Sequence, residues 1–237
     1  MKTKIHHHYA ATIVKPNTGC DFFLVKYDAT YPIEFLRGRA NLLGGNASTE
    51  DISPQATLER NIRAKFSTKE SGNAPLLDLV AHLGSVPICD TPIRKTSSGE
   101  GKKERIREAI LTGLRPYEDY MLTVPCLNEE GYKPPMIFSC FLTTLDPIDF
   151  NLIREYHREH GTLLNIGESW IYRLNDLTEE NPLTAWATGI AIGDFMKVSK
   201  PIPNPDHVLI EHLGPPRELY RAYTKEFDYD FPEGGFR

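Results

Sequence analysis

A mixed α/β fold is predicted by three features of the chain. Runs of β-branched and aromatic residues bounded by turn formers occur at 9–14, 21–27, 121–127, 136–145 and 168–174. Segments with apolar residues at helical spacing, notably 53–66 and 149–160, lie between them. A third feature joins the two kinds of element, because the glycine pair Gly44-Gly45 stands between an extended stretch and a capped helix.

The first two runs flank the turn Pro16-Asn17-Thr18-Gly19 and read as a hairpin. Residues 31–41 then lead into Gly44-Gly45, whose missing Cβ atoms let a backbone or a ligand come close. Ser53 followed by Pro54 is an N-cap with a first-turn proline, so a helix is expected to run to about Phe66. Residues 67–73 form a polar break, 75–83 read as helix, and 91–103, rich in Ser, Gly and Lys, reads as a mobile loop. Ile106, Ala109, Ile110 and Leu114 place a helix at 105–114, and the stretch of about 67–120 reads as an insertion. The runs 121–127 and 136–145 form a second hairpin whose turn is marked by Gly131. The charged segment 149–160 turns Phe150, Ile153 and Tyr156 inward and stops at Gly161. A strand at 168–174 and a helix at 181–198, with Leu183, Trp186, Ala187 and Ile190 as its stripe, complete a domain over 1–200. Prolines and aromatics crowd 201–237, which reads as an extended arm lying on this subunit or on a partner.

Composition narrows the partners. With 237 residues, of which 40% are hydrophobic, the chain has material for a sizeable core, and its net charge of −5 supplies no field for non-specific nucleic-acid binding. No apolar run approaches the roughly 20 residues that span a bilayer, and the N-terminus lacks the apolar core of a signal peptide, so the expectation is a cytoplasmic protein with no membrane partner. Cys20, Cys89, Cys126 and Cys140 lack the paired spacing of a zinc site and read as reduced, buried thiols. Consecutive histidines on a strand cannot all face one ion, so His6-His7-His8 reads as incidental.

The stretch Leu42-Leu43-Gly44-Gly45, the acids Glu50 and Asp51, and the helix with Ala56 and Arg60 together resemble the Nudix box of the Nudix hydrolase family, with its metal ligands removed. A second likeness, to a later Nudix strand with an aromatic-x-x-Leu-x-x-Leu pattern, lies in Glu168 to Leu177. The resemblance spans about 9–66 and 121–198, and it implies an α/β/α sandwich around a mixed sheet, carrying here a helical insertion. In that family the box helix ends in Arg-Glu-aliphatic-x-Glu-Glu, and the glutamates hold divalent cations against a diphosphate. Matched at Arg60, the three acid positions fall on Asn61, Ala64 and Lys65; with Leu58-Glu59 set on the Arg-Glu pair instead, the later two fall on Ile62 and Arg63. Either way the carboxylates needed at i, i+3 and i+4 to converge on one hard cation are missing.

The resemblance therefore implies a domain that binds a nucleotide-like small molecule and has lost the usual metal-dependent hydrolysis. Ligand-binding candidates are Gly44 and Gly45, the guanidinium groups of Arg37, Arg39 and Arg60, and Lys65. Arg60 has an alternative structural role, since the box arginine of the family mainly holds a glutamate in place, and Lys65 has the alternative of a solvated cation. A divergent pyrophosphohydrolase is the second reading. It would use Mg²⁺ or Mn²⁺ at a displaced site made from Glu50, Asp51 and Glu59, with Glu168 as catalytic base; acids at a helix start are equally explained by its dipole. No cofactor is required otherwise. The third reading is a protein-interaction scaffold, with the aromatic C-terminal arm joining a homodimer. His157 and His160, at i and i+3, read as a solvated helix face, and Cys126 and Cys140 as buried thiols.

Overall fold

The computed structural model describes residues 2–5, 7–26, 37–67, 97–123, 135–161, 163–164, 168–173, 188–197 and 209–229. Strands β1 (Thr3–Ile5), β2 (His7–Pro16), β3 (Asp21–Lys26), β4 (Ala40–Asn41) and β5 (Leu43–Asn46) precede helix α1 (Pro54–Phe66). Helix α2 (Ser97–Gly113) runs directly into β6 (Leu114–Thr123), followed by β7 (Met136–Leu145), α3 (Pro147–His160), β8 (Glu168–Arg173) and α4 (Thr188–Met196). Strand β9 (Leu209–Gly214), the short α5 (Tyr220–Tyr223) and β10 (Phe227–Tyr229) close the order.

The main sheet is mixed. Its path is β4-β3-β2-β7-β6-β9, with β5 also on β2 and β8 also on β3. Strands β2 and β7 are parallel over His7↔Met136 to Pro16↔Leu145, whereas the other pairings of this sheet are antiparallel. A parallel pair needs a long crossover, and α1, α2 and β6 lie in the chain between β2 and β7. The ribbon β1/β10 is a separate parallel pair.

Strand alternation assigns the two faces. Ala10, Val14, Phe23, Val25 and Phe141 point to one side, where Leu58, Ile62 and Phe66 of α1, Ile106 and Ile110 of α2, and Phe150 and Ile153 of α3 cover them. Tyr9, Ala11, Ile13, Phe22, Leu24 and Phe138 point to the other, against Ala191 and Ile192 of α4. Helices thus pack on both faces of the sheet. A third cluster, Ile5, Ile137, Tyr220, Tyr223 and Phe227, fastens the chain end to the start of β7.

The helix signals at 53–66 are realised. Ser53 Oγ accepts the Ala56 amide at 3.0 Å, and Pro54 occupies the first turn. Asp146 caps α3 in the same way, and Gly161, with φ +80, ends it.

Three expectations need correction. The loop read at 91–103 is helical from Ser97 onward, because Lys102 pairs with Glu155 and Glu159 of α3 and Gly99 lets the His160 ring approach. The second hairpin begins at Leu114 and not at Met121, so residues 114–120 of the supposed insertion build a strand of the main sheet. Pro116 explains the misreading, since it breaks the strand pattern and is followed by a register shift before Glu118. The first hairpin is formed, yet β2 and β3 register only at Val14↔Phe23, as β5 takes β2 from Tyr9 to Thr12. The stretches 75–83 and 181–187, Gly131, Cys89 and Cys126 lie outside the described residues. Part of the C-terminal arm is ordered into β9, α5 and β10 on this chain.

Candidate functional site

Gly44 and Gly45, expected in a turn, lie inside strand β5 opposite Ala11 and Ala10, and both are required there by close packing. A Cβ on Gly44 would lie 2.2 Å from the Ala10 carbonyl oxygen, and one on Gly45 would lie 1.9 Å from the Asn61 side-chain oxygen. The glycine pair therefore lets β5 lie against β2 on one side and α1 on the other. Asn61, the residue after Arg60, uses its amide to donate to the carbonyls of Asn46, at 3.2 Å, and Thr57, at 2.9 Å.

Arg60 is committed to the loop before its own helix. Its Nε donates to Asp51 Oδ1 at 2.9 Å and one terminal nitrogen donates to Asp51 Oδ2 at 2.7 Å, a bidentate fork. The same nitrogen donates to the Asn46 carbonyl at 2.8 Å, tying loop and strand end together. Asp51 also accepts the Ser48 amide and the Thr57 hydroxyl, each at 2.8 Å. Burial pushes this carboxyl up, but Arg60, Ser48 and Thr57 together outweigh it and hold Asp51 below the usual carboxylate range. Because Thr57 gives its one hydroxyl proton to Asp51, its oxygen accepts from the Tyr220 hydroxyl at 2.7 Å.

The other candidates are placed as follows. Lys65 is buried, which departs from a solvated lysine. Glu59 accepts from Gln55 at 2.9 Å on the helix surface, and Glu50 is exposed. Arg37 is exposed and Arg39 half-buried on the approach to β4. Glu168 starts β8 opposite Lys26, and Lys26 in turn lies opposite Ala40, so backbone register puts Glu168 about 10 Å, two strand spacings, from the Arg39-Ala40 end. Among the described residues no three or more His, Cys, Asp or Glu side chains are arranged to hold a metal ion. His157 is exposed and Cys140 fully buried, as expected, whereas His160 is half-buried against the Tyr156 ring and Cys20, expected to be buried, is exposed in the turn between β2 and β3.

A second polar cluster escaped the sequence reading. His8, Asp119 and Ser139 are each no more than 1% exposed. Ser139 Oγ donates to Asp119 Oδ1 at 2.5 Å, so it accepts from His8 Nε2 at 2.7 Å, and His8 Nδ1 is left to accept from the Tyr229 hydroxyl at 3.3 Å. Tyr223 donates to Asp119 Oδ2 at 2.6 Å, and Arg217 stands 3.6 Å from the same oxygen. Burial pushes Asp119 up to about 6, against the pull of Ser139, Tyr223 and Arg217, and the same burial lowers His8 to about 3. The imidazole faces the serine and the serine faces the carboxylate, which is not the order of a nucleophilic triad, where the base lies between the other two. The available signal was a polar residue on an inward strand position: Asp119, Ser139 and His8 each interrupt an apolar face.

A more open group sits on the opposite face. His212 is 3.6 Å from Glu118 and 3.7 Å from Asp194, which also accepts from the Tyr120 hydroxyl at 3.3 Å. Compared with protein-family models and with curated proteins, the chain matches none.

Proposed function

We propose that this chain is a Nudix-like domain that binds a nucleotide or nucleoside-diphosphate-type ligand without the family's metal-dependent hydrolysis. The reading rests foremost on the Asp51–Arg60 fork. An arginine of the box helix is held by a carboxylate from the preceding loop, and the helix positions that would carry metal ligands present Asn61, Ala64 and Lys65 instead. Asn61 packs on Gly45 and contributes an amide, which cannot replace an anionic ligand to a hard cation. The mixed sheet with helices on both faces accords with the sandwich that the resemblance implies.

In this proposal Arg37 and Arg39 supply guanidinium forks to the diphosphate beside the turn, and Lys65 adds a fixed cation. A cation of that kind neutralises phosphate but lacks the power of a bound metal to acidify water, so binding outlasts turnover. Arg60 acts as the brace. A displaced metal site on Glu50, Asp51 and Glu59 would require Asp51 to give up four donors first.

The test is a thermal-shift panel with ADP, GDP, UDP and UDP-glucose, each with and without Mg²⁺ or Mn²⁺, and with the same wells checked for product. A ligand that binds the native state raises its melting temperature. Stabilisation without metal and without product is expected, and its loss in Arg39→Ala would place the phosphate. Metal-dependent stabilisation with product would overturn the proposal in favour of a divergent hydrolase.

A further inference from the structure

The two buried carboxylates belong to different parts of the fold, yet both receive hydroxyl protons that originate in 217–229. One relay runs Tyr220 to Thr57 to Asp51, where Arg60 closes it. The other runs Tyr229 to His8 to Ser139 to Asp119, where Tyr223 also donates and Arg217 approaches. Backbone contacts repeat the pattern: the Tyr220 amide donates to the Ile52 carbonyl at 3.0 Å, next to Asp51, and Lys2 Nζ donates to the Thr224 carbonyl at 2.6 Å. The rings of Tyr220 and Tyr223 meet the edges of the His8 ring at 4.7 and 5.1 Å. Tyr220, at 1% exposure, thus touches both relays at once.

We propose that residues 217–229 form a clasp whose docking sets the arrangement of the loop between β5 and α1 (residues 47–53) and the start of α1, so that the clasp and the Asp51–Arg60 brace open as one unit. Tyr220 is the positioning residue between them. If the clasp leaves, Thr57 loses its donor, Asp51 loses the cover over the loop and with it the fixed geometry that holds Arg60, and Asp119 and His8 meet water together. The ligand reading above enters only in what the clasp would control, namely the geometry of the loop between β5 and α1.

Native-state hydrogen exchange at low urea tests this on the unmodified chain, without any nucleotide. The amides of Tyr220, Ala222 and Glu226 report the clasp, and those of Ser48, Asp51 and Thr57 report the loop and brace, since each of the six is hydrogen-bonded. The proposal expects the two sets to exchange with one common urea dependence, ahead of the amides in β7. Tyr223→Phe, which removes a donor to Asp119 and touches nothing in the brace, should then speed both sets by the same factor, on the order of tenfold or more. Separate urea dependences in the unmodified chain, or a Tyr223→Phe effect confined to the clasp amides, would overturn it. Failure of nucleotide binding leaves this result standing, and failure here leaves the ligand reading standing.

Discussion

Asp51 and Asp119 are both buried carboxylates beside an arginine, and they are held on opposite sides of the ordinary carboxylate range. Asp51 meets a guanidinium fork at 2.9 and 2.7 Å together with a backbone amide and a hydroxyl. Asp119 meets two hydroxyls, while its arginine stays at 3.6 Å and is shared with Glu226. Burial acts against the charged form in both; what differs is how many donors oppose it and whether a cation is in contact. Asp51 is consequently a fixed anion that braces a helix, and Asp119 is a carboxyl whose charge changes close to neutrality.

The largest test of that contrast removes each partner in turn. Arg60→Met leaves Asp51 buried without its cation and is expected to lower unfolding free energy by about 3 to 5 kcal/mol in urea melts. Asp119→Asn keeps the shape and removes a charge that burial disfavours, so at pH 8 it is expected to be neutral or stabilising. Equal losses from the two variants would break the comparison.

Asp119 and His8 give the folded protein opposite pH dependences. Asp119 is raised from 3.8 to about 6 in the folded protein, so its contribution is fully present below the unfolded value and is lost as pH rises through 6, roughly 3 kcal/mol across the window. His8 is lowered from 6.5 to about 3, so its contribution is present above 6.5 and is lost as pH falls toward 3. Between about pH 4 and 6.5 the two oppose each other. Chemical melts from pH 7.5 to 4.5 should therefore show a shallower acid loss for the unmodified chain than for Asp119→Asn, by about 2 kcal/mol. Parallel curves would contradict the assignment.

Packing at the turn gives the next effect. Gly45→Ala drives a methyl into the Asn61 amide, with an expected loss of about 1 to 3 kcal/mol, and Asn61→Ala in the same chain should recover part of it. The smallest change is expected at Lys102→Ala on the surface between α2 and α3, where water screens the pair with Glu159 and the urea midpoint should stay within the error of the melt.

What was legible in the sequence was what local chemistry decides. Strand β7 reads as a ten-residue run, and Ser53-Pro54 announces the start of α1 before any partner is known. The first half of β6 was hidden because Arg115, Pro116, Glu118 and Asp119 look like loop residues until β7 and β9 pair with them. The start of α2 was hidden by Gly99 and Gly101, whose helix is secured by contacts with α3. The Arg60 brace was visible as one of two stated roles, since its partner lies nine residues away. His8 and Ser139 lie 131 residues apart and Asp119 and Tyr223 lie 104 apart, so no spacing rule joins them. Only the apolar faces they interrupt marked them.

The Asp51–Arg60 charge pair holds the start of α1 to the loop before it. The most direct measurement is urea unfolding in EDTA, in Mg²⁺ and in Mn²⁺, on the unmodified chain and on Asp51→Asn. The unmodified chain is expected to melt at the same urea concentration in all three solutions, and Asp51→Asn to lower that midpoint equally in each. A midpoint raised by either cation, with the rise abolished by Asp51→Asn, would make Asp51 a metal ligand and contradict the claim.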